Sequence, residues 1–391
     1  MSHIQQLSSD EFEGRSPGTE GGVKTVTYLT DQFRSLGLEP GNPDGTYVQP
    51  VPLVGITPRV GETLQVQPQN GKVVFLEPGA DYVAFTKRVV DRVDMDGEIV
   101  FVGYGAVAPE YDWNDFKDVD VTGKVLLMLV NDPPAAGLFG DEAMTYYGRW
   151  TYKFEMAALR GAAGVFVIHE TGPAGYPWEV IGSAPYGEQF DLVVEDRNRG
   201  RVAVEGWIQN TTADSIFRMA GLDFETHKKA AAERDFNPVP LGITARLTIN
   251  NTLRTVDSNN VVAMIKGVDA PDEVVIYVAH WDHLGRDATR EGDQIFNGAF
   301  DNASGTAGLL ELGSAFAGVA DQLRRSVVLL AVTAEEQGLL GSRFYTKQPL
   351  YPLAKTVAVI NMDGLNPFGI TRDLTVIGMG QSTLDDLAHQ I

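Results

Sequence analysis

The sequence predicts an α/β fold: a doubly wound mixed sheet with helices on both faces, joined by an inserted β-rich domain. Three observations predict it. The stretches Val274–Ala279, Val327–Val332 and Val357–Ile360 are short apolar runs with almost no alternation, as strands covered on both faces of a parallel sheet read. Between the first two, Ala303–Ala317 carries Leu309, Leu312 and Phe316 at helical spacing, which gives the order strand, helix, strand, helix, strand. Each run also ends in metal-binding groups: His280, Asp282 and His283 after the first, Glu335 and Glu336 after the second, Asp363 after the third. A fourth acid, Asp301, sits in a Gly- and Asn-rich loop between the first two runs. Ligands of such sheets bind beyond the carboxyl ends of the strands, so one imidazole and three carboxylates should meet at one edge.

The remaining elements follow in chain order. The polar opening ends in SPGTEGG, a loop signal. Val26, Leu29, Phe33 and Leu36 then share one helical face, with Gly37 as C-terminal cap. Residues 51–93 read as short strands and turns. From Asp94 the texture changes: GEIVFVGYG and GKVLLMLV read as strands, Tyr152–Arg160 as a helix and Ala162–His169 as a buried strand. Ala213–Glu233 is helical, and strand vocabulary returns at Ile243–Ile249 and Asn260–Ile265. The expected division is therefore an insertion over residues 94–239 within a discontinuous domain of residues 1–93 and 240–391. Tyr146, Tyr147, Trp150 and Tyr152 read as packing within the insertion, and His169 as a structural histidine.

Composition narrows the function classes. A net charge of −21 over 391 residues disfavours nucleic acid, since polyanions are repelled. No run approaches a membrane span. The polar start offers no signal peptide, and a secreted or periplasmic location would require that one was removed. With no cysteine, disulfides and thiolate sites are excluded, and a metal must be held by His and carboxylate, which suits zinc.

The motifs AHWDHLG, GAFDNASG, TAEEQGLLGS and NMDG, in that order, resemble those of the two-zinc aminopeptidases, the family-28 metallopeptidases, which share a fold with glutamate carboxypeptidase and transferrin receptor. SSDEFEGRSPGTEGG matches the usual opening of that family. The middle segment, GYGAVAPEYDWNDFKDVDVTGKVLLMLV and AALRGAAGVFVIHE, resembles an inserted protease-associated domain. The resemblance implies zinc bound by His280, Asp301, Glu336 and Asp363, with Asp301 bridging two ions. Glu335 is implied as the unligated general base acting on a metal-activated water. Asp282 is placed to accept the other ring N–H of His280 and fix its tautomer, while His283 reads as structural or substrate-side. Asn302, Ser304 and Gly305 should shape the bend that presents Asp301.

One departure is visible. The family carries a second histidine ligand in a loop well downstream of the Asp363 position. Here His389 alone follows Asp363, in the helix-like STLDDLAHQI, without that motif. The expectation is a C-terminally truncated chain that binds about one zinc rather than two, with impaired activity and an exposed sheet edge inclined to self-association. The expected function of the intact protein is removal of N-terminal residues from peptides with a free N-terminus. The rivals are a carboxypeptidase or glutaminyl cyclase of the same fold, or a receptor-like binding module. Arg286, Arg290 and Arg343 near the motifs leave the carboxypeptidase open.

Overall fold

The computed structural model describes residues 1–59, 63–117, 119–135, 137–139, 144–182, 187–367, 369–372 and 383–388. The chain divides into two compact units, one of Met1–Pro50 with Asn259–Ile391 and one of Val51–Ser258. His389 lies outside the described residues.

In the first unit, α1 (Ser2–Leu7) and α2 (Glu20–Ser35) precede the strands. Thr19 caps α2 by accepting the Gly22 N–H at 3.2 Å, and Gly37 ends it in the left-handed region at φ 73°. The sheet is built from β1 (Val239–Ile265), β2 (Ala270–His280), β3 (Arg325–Val332) and β4 (Thr356–Asn361). Its order is β4-β2-β3-β1, with β2 parallel to β3 and β4, and β1 antiparallel to β3. The sheet is mixed, as expected. Between β2 and β3 runs α3 (Ser304–Ala317), and α4 (Leu340–Lys347) follows β3.

The two faces of the strands explain the unbroken apolar runs. Val327, Leu329 and Ala331 join Leu29 and Phe33 of α2 and Leu309 and Leu310 of α3 on one side. Val328, Leu330 and Val332 join Val274, Ile276, Val278 and Tyr345 of α4 on the other. Each such side chain contributes about 1.5–3 kcal/mol by leaving water. β4 departs from the expected burial: Val357 and Val359 are 51% and 55% exposed, and among the described residues this strand stands at the end of the sheet order, paired with β2.

Register then sets the functional edge. His280 pairs with Val332, and Asn361 pairs with Val278, so the three parallel strands end nearly level.

The second unit contributes its own strands. Arg92–Phe101, Val125–Leu129, Gly164–His169 and Val204–Gln209 are successive parallel neighbours. Tyr82–Phe85 pairs antiparallel with Val204–Gln209, and residues 239–250 of β1 pair antiparallel with Arg92–Phe101. Helices Trp150–Leu159, Asn210–Met219 and Phe224–Ala231 accompany them. The expected single helix over Ala213–Glu233 is two, separated at Gly221 with φ 73°. Tyr152 packs edge-on to Tyr146 and Tyr147, and His169 Nε2 lies 3.1 Å from the Tyr176 carbonyl in an aromatic setting.

The unit boundaries differ from the expected 94 and 239. The texture change at Asp94 falls inside Arg92–Phe101. Residues before it belong to the second unit because Leu64–Pro68 pairs with Ile243–Arg246 and Tyr82–Phe85 with Glu205–Ile208. Ile243–Ile249 and Asn260–Ile265, read as two strands, are one 27-residue strand that runs from the second unit into the first.

Candidate metal centre

His280 is the last residue of β2 and is buried. Its Nε2 lies 3.1 Å from Asp301 Oδ1, 3.3 Å from Asp363 Oδ1 and 4.0 Å from Glu335 Oε2. Its carbonyl accepts from Thr306 Oγ1 at 2.8 Å, which ties the strand end to the first turn of α3.

The loop before α3 presents Asp301, and Asn302 holds that loop in place. Asn302 is fully buried. Its Nδ2 donates to the Met362 carbonyl at 3.0 Å, and its Oδ1 accepts from Gly305 N–H at 2.9 Å and Gly364 N–H at 3.2 Å. Ser304 Oγ donates to the Phe300 carbonyl and accepts from Leu365 N–H. These two side chains thus bind the Asp301 loop to the Asp363 loop, a larger role than shaping a bend.

Asp282 has partners beyond the imidazole it was expected to orient. The His280 Nδ1 is nearer the Asp282 carbonyl, at 3.1 Å, than the Asp282 carboxylate, at 3.7 Å. The fully buried carboxylate accepts the N–H of Glu335 at 3.0 Å and of Glu336 at 3.4 Å. The same Oδ1 that meets the Glu335 N–H therefore also stays within ion-pair distance of the imidazole. Asp282 therefore fixes the Glu335–Glu336 turn, and burial pushes its carboxyl up to about 6.

His283, expected to be structural or substrate-side, meets an acid of the site. Its Nδ1 lies 2.6 Å from Glu336 Oε1, and its ring stands over Gly298, where a Cβ would come within 2.6 Å of it. Two donor groups result: His280, Asp301 and Asp363, and His283, Asp301 and Glu336, each with its donor atoms within 4.8 Å of one another. The second group thus has an imidazole close by, which sequence reasoning did not give it. The signal was present in the H-W-D-H spacing, but spacing alone does not show which way the chain turns after β2.

The donor set fits a divalent cation. Asp301 Oδ1 is buried without a hydrogen-bond partner of good geometry, and Asp301 is common to both groups. Burial opposes charge on His280, yet Asp301 and Asp363 outweigh it and raise the imidazole to about 11. Carboxylates that draw a proton so strongly onto one nitrogen would favour a metal ion there, which binds by displacing that proton. Tetrahedral ligands at zinc distances are about 3.3 Å apart, close to the 3.1 and 3.3 Å around His280.

Comparison with known proteins bears on the family and the fold. Residues 260–391 match the model of peptidase family M28. These residues form a peptidase family M28 domain. All the donors named above lie in the M28 domain. Aminopeptidase NAALADL1 of Mus musculus is 36% identical over 129 residues, 32% of this chain and 16% of its own length. The probable glutamate carboxypeptidase AMP1 of Arabidopsis thaliana is 31% identical over 373 residues, 88% of this chain and 48% of its own. The chain thus spans less than half the length of these curated relatives. Among solved structures, the aminopeptidase from Aneurinibacillus sp. strain AM-1 matches with a TM-score of 0.50 at 22% identity, over 93% of this chain and 69% of that one. That likeness is one of fold.

Proposed function

We propose that this chain carries the catalytic domain of a zinc-dependent aminopeptidase, which removes N-terminal residues from peptides. The observation that carries the reading is the pair of donor groups sharing Asp301, with Glu335 beside them and in neither. His280, Asp301 and Asp363 would hold one zinc; Asp301 and Glu336, with His283 adjacent, would hold a second. That revises the expected count from one to two. When bound, zinc supplies Lewis-acid polarisation of a carbonyl and acidifies a water.

The protein's own groups do the rest. Glu335 is part-buried, and its carboxyl is pushed up to about 7: burial and the nearby acids Asp282, Glu336 and Asp363 raise it against the lowering by His280. Standing beside the donor groups and in neither, the Glu335 carboxylate is free to take a proton from a water and return it. The Asp282 carboxylate accepts both N–H groups of the turn, which supports separate directions for Glu335 and Glu336. The exposed Asp301 and Asp363 side chains leave a path for substrate.

A carboxypeptidase reading would need a cationic group beside the donors to meet a C-terminal carboxylate. Arg286 is bonded to Gln294 Oε1, and Arg290 lies 4.7 Å over the Phe296 ring, while the exposed Arg343 keeps the carboxypeptidase as the alternative. The test is zinc per chain after dialysis, together with hydrolysis of leucyl-nitroanilide and its N-acetyl analogue. We expect two zincs and cleavage of the unblocked substrate alone. Glu335→Gln should keep its zinc and lose about 10²–10⁴ in rate. Preference for the blocked substrate, or wild-type turnover in Glu335→Gln, would overturn the reading.

A further inference from the structure

The EGRSPGT opening has so far no role. It contains Arg15, whose side chain is fully buried. Its Nε donates to the Trp281 carbonyl at 2.9 Å, Nη1 to the Leu7 and Asn297 carbonyls at 2.6 and 2.7 Å, and Nη2 to the Gly298 carbonyl at 2.8 Å. Every one of these acceptors is main chain. Trp281 lies between His280 and Asp282, and Gly298 opens the turn that contains Asp301. Leu7 ends α1, where it packs with Phe12 and Ala303.

The backbone is shaped for this insertion. Glu13, Gly14 and Arg15 are all left-handed, with φ of 47°, 67° and 54°. A Cβ on Gly14 would lie 2.4 Å from the Gly285 carbonyl oxygen and 2.5 Å from that of Phe296, so no larger residue lets the chain approach this closely. A Cβ on Gly298 would lie 2.5 Å from the Asp301 carbonyl oxygen, 2.6 Å from Arg15 Nη2 and 2.6 Å from His283 Cδ2. Arg15 therefore reaches the point where the Asp301 loop and His283 meet.

A buried cation is costly unless paired, and the hydrogen bonds of this one reach no carboxylate. Burial brings the guanidinium down to about 10, against the pull of Asp282, Asp301 and Glu336. The charge faces the same carboxylates that form the centre.

We infer that Arg15 is a positioning residue of the metal centre. Its fork sets the spacing between the strand end bearing His280 and the loop bearing Asp301, the carboxylate common to both donor groups. A planar guanidinium with five donors can bond carbonyls from three segments at once; a lysine ammonium has three donors at a single point. Charge alone is therefore insufficient, and the geometry is what the site uses. The inference rests on the metal-centre reading above, but not on the identity of the substrate.

The experiment compares Arg15→Lys and Arg15→Met with the wild type, using zinc alone as probe in competition with a chromogenic chelator. Leu29→Ala, on the buried face of α2, is the control for lost stability. Both Arg15 variants should bind zinc about 10–100-fold more weakly, with kcat falling more than KM changes. The control should lose thermal stability and keep wild-type zinc affinity. Folded Arg15→Lys with zinc affinity within twofold of wild type overturns the inference. Should the Arg15 variants fail to fold, Asn297→Ala reads the same junction, since its Nδ2 donates to the Ser8 carbonyl and to Asp10 at 2.8 and 2.9 Å. A several-fold loss of zinc affinity supports the inference there, and unchanged affinity overturns it. A wild type that binds zinc but cleaves no peptide would refute the proposed function and leave the role of Arg15 standing. A wild type that binds no zinc would refute both.

Discussion

His283 and Glu336 are 2.6 Å apart, a hydrogen-bond distance and shorter than the roughly 3.3 Å between two ligands of one tetrahedral zinc. The imidazole therefore acts on Glu336 first, holding its carboxylate toward Asp301. Partners of metal ligands typically contribute about 10–100-fold to affinity. His283→Ala should accordingly weaken the second zinc by that factor and leave the first unchanged, since none of the His280 contacts at 3.1 and 3.3 Å involves residue 283. Stepwise zinc release followed by calorimetry checks this, and equal weakening of both ions would contradict it. At this scale the placement of His280, Glu335, Glu336 and Asp363 was legible because each lies at or just past the end of an apolar strand that fixes where it emerges. Asp282, His283 and Arg15 were not, because their roles depend on turns made after a strand or a helix ends. A turn is set by φ/ψ at single residues, such as Ala334 at φ 52°, and no hydrophobic period reports it.

At the scale of elements, the helix Trp150–Leu159 was legible from its sequence, but the burial of Lys153 within it was not. Lys153 is fully buried, with Nζ donating to the Tyr104 carbonyl at 2.6 Å and the Asn131 carbonyl at 2.9 Å. Burial lowers its ammonium to about 7, against the pull of Asp115 and Asp132. The unfolded chain keeps that proton to about 10.5, so between pH 7 and 10 the unfolded state binds more protons than the folded one. Stability must then rise with pH across this window, and the penalty is full below it. Relative to Lys153→Met, the wild type should gain up to about 1.4 kcal/mol per pH unit between pH 7 and 10. Urea unfolding of both proteins at several pH values checks this. Asp115, pushed by burial up to about 6, titrates below the window and does not mask the effect. Parallel pH profiles of the two proteins would show that Lys153 stays charged in its site. Strand runs were legible for the opposite reason: β2 and β3 have side chains buried on both faces, so composition alone reveals them. The 27-residue β1 was not, because its exposed middle around Arg254 and Thr255 reads as a break.

At the scale of the molecule, the two units separate the chemistry cleanly in sequence. His280, His283, Asp301, Glu335, Glu336, Asp363 and Arg15 all belong to the unit of Met1–Pro50 and Asn259–Ile391. The chain leaves that unit and re-enters it on neighbouring strands. Val262 N–H donates to the Tyr47 carbonyl at 2.7 Å, and Asn260 Nδ2 to Gln49 Oε1 at 3.0 Å. Continued antiparallel, that pairing sets Pro50 opposite Asn259, the geometry a short hairpin loop closes. The intervening 51–258 segment has apolar clusters of its own, so it has the core of an independent domain. Replacing residues 51–258 by an Asn-Gly turn should therefore leave a folded protein that binds the same number of zinc ions, with affinity within about threefold since no donor is removed. Metal analysis of the purified deletion variant, with near-UV circular dichroism to establish folding, makes the measurement. Loss of zinc from a folded variant would mean that a residue of the second unit completes the centre. His169 is the histidine to suspect first, and its partnership with the Tyr176 carbonyl, Trp178 and Trp207 argues that it will not be.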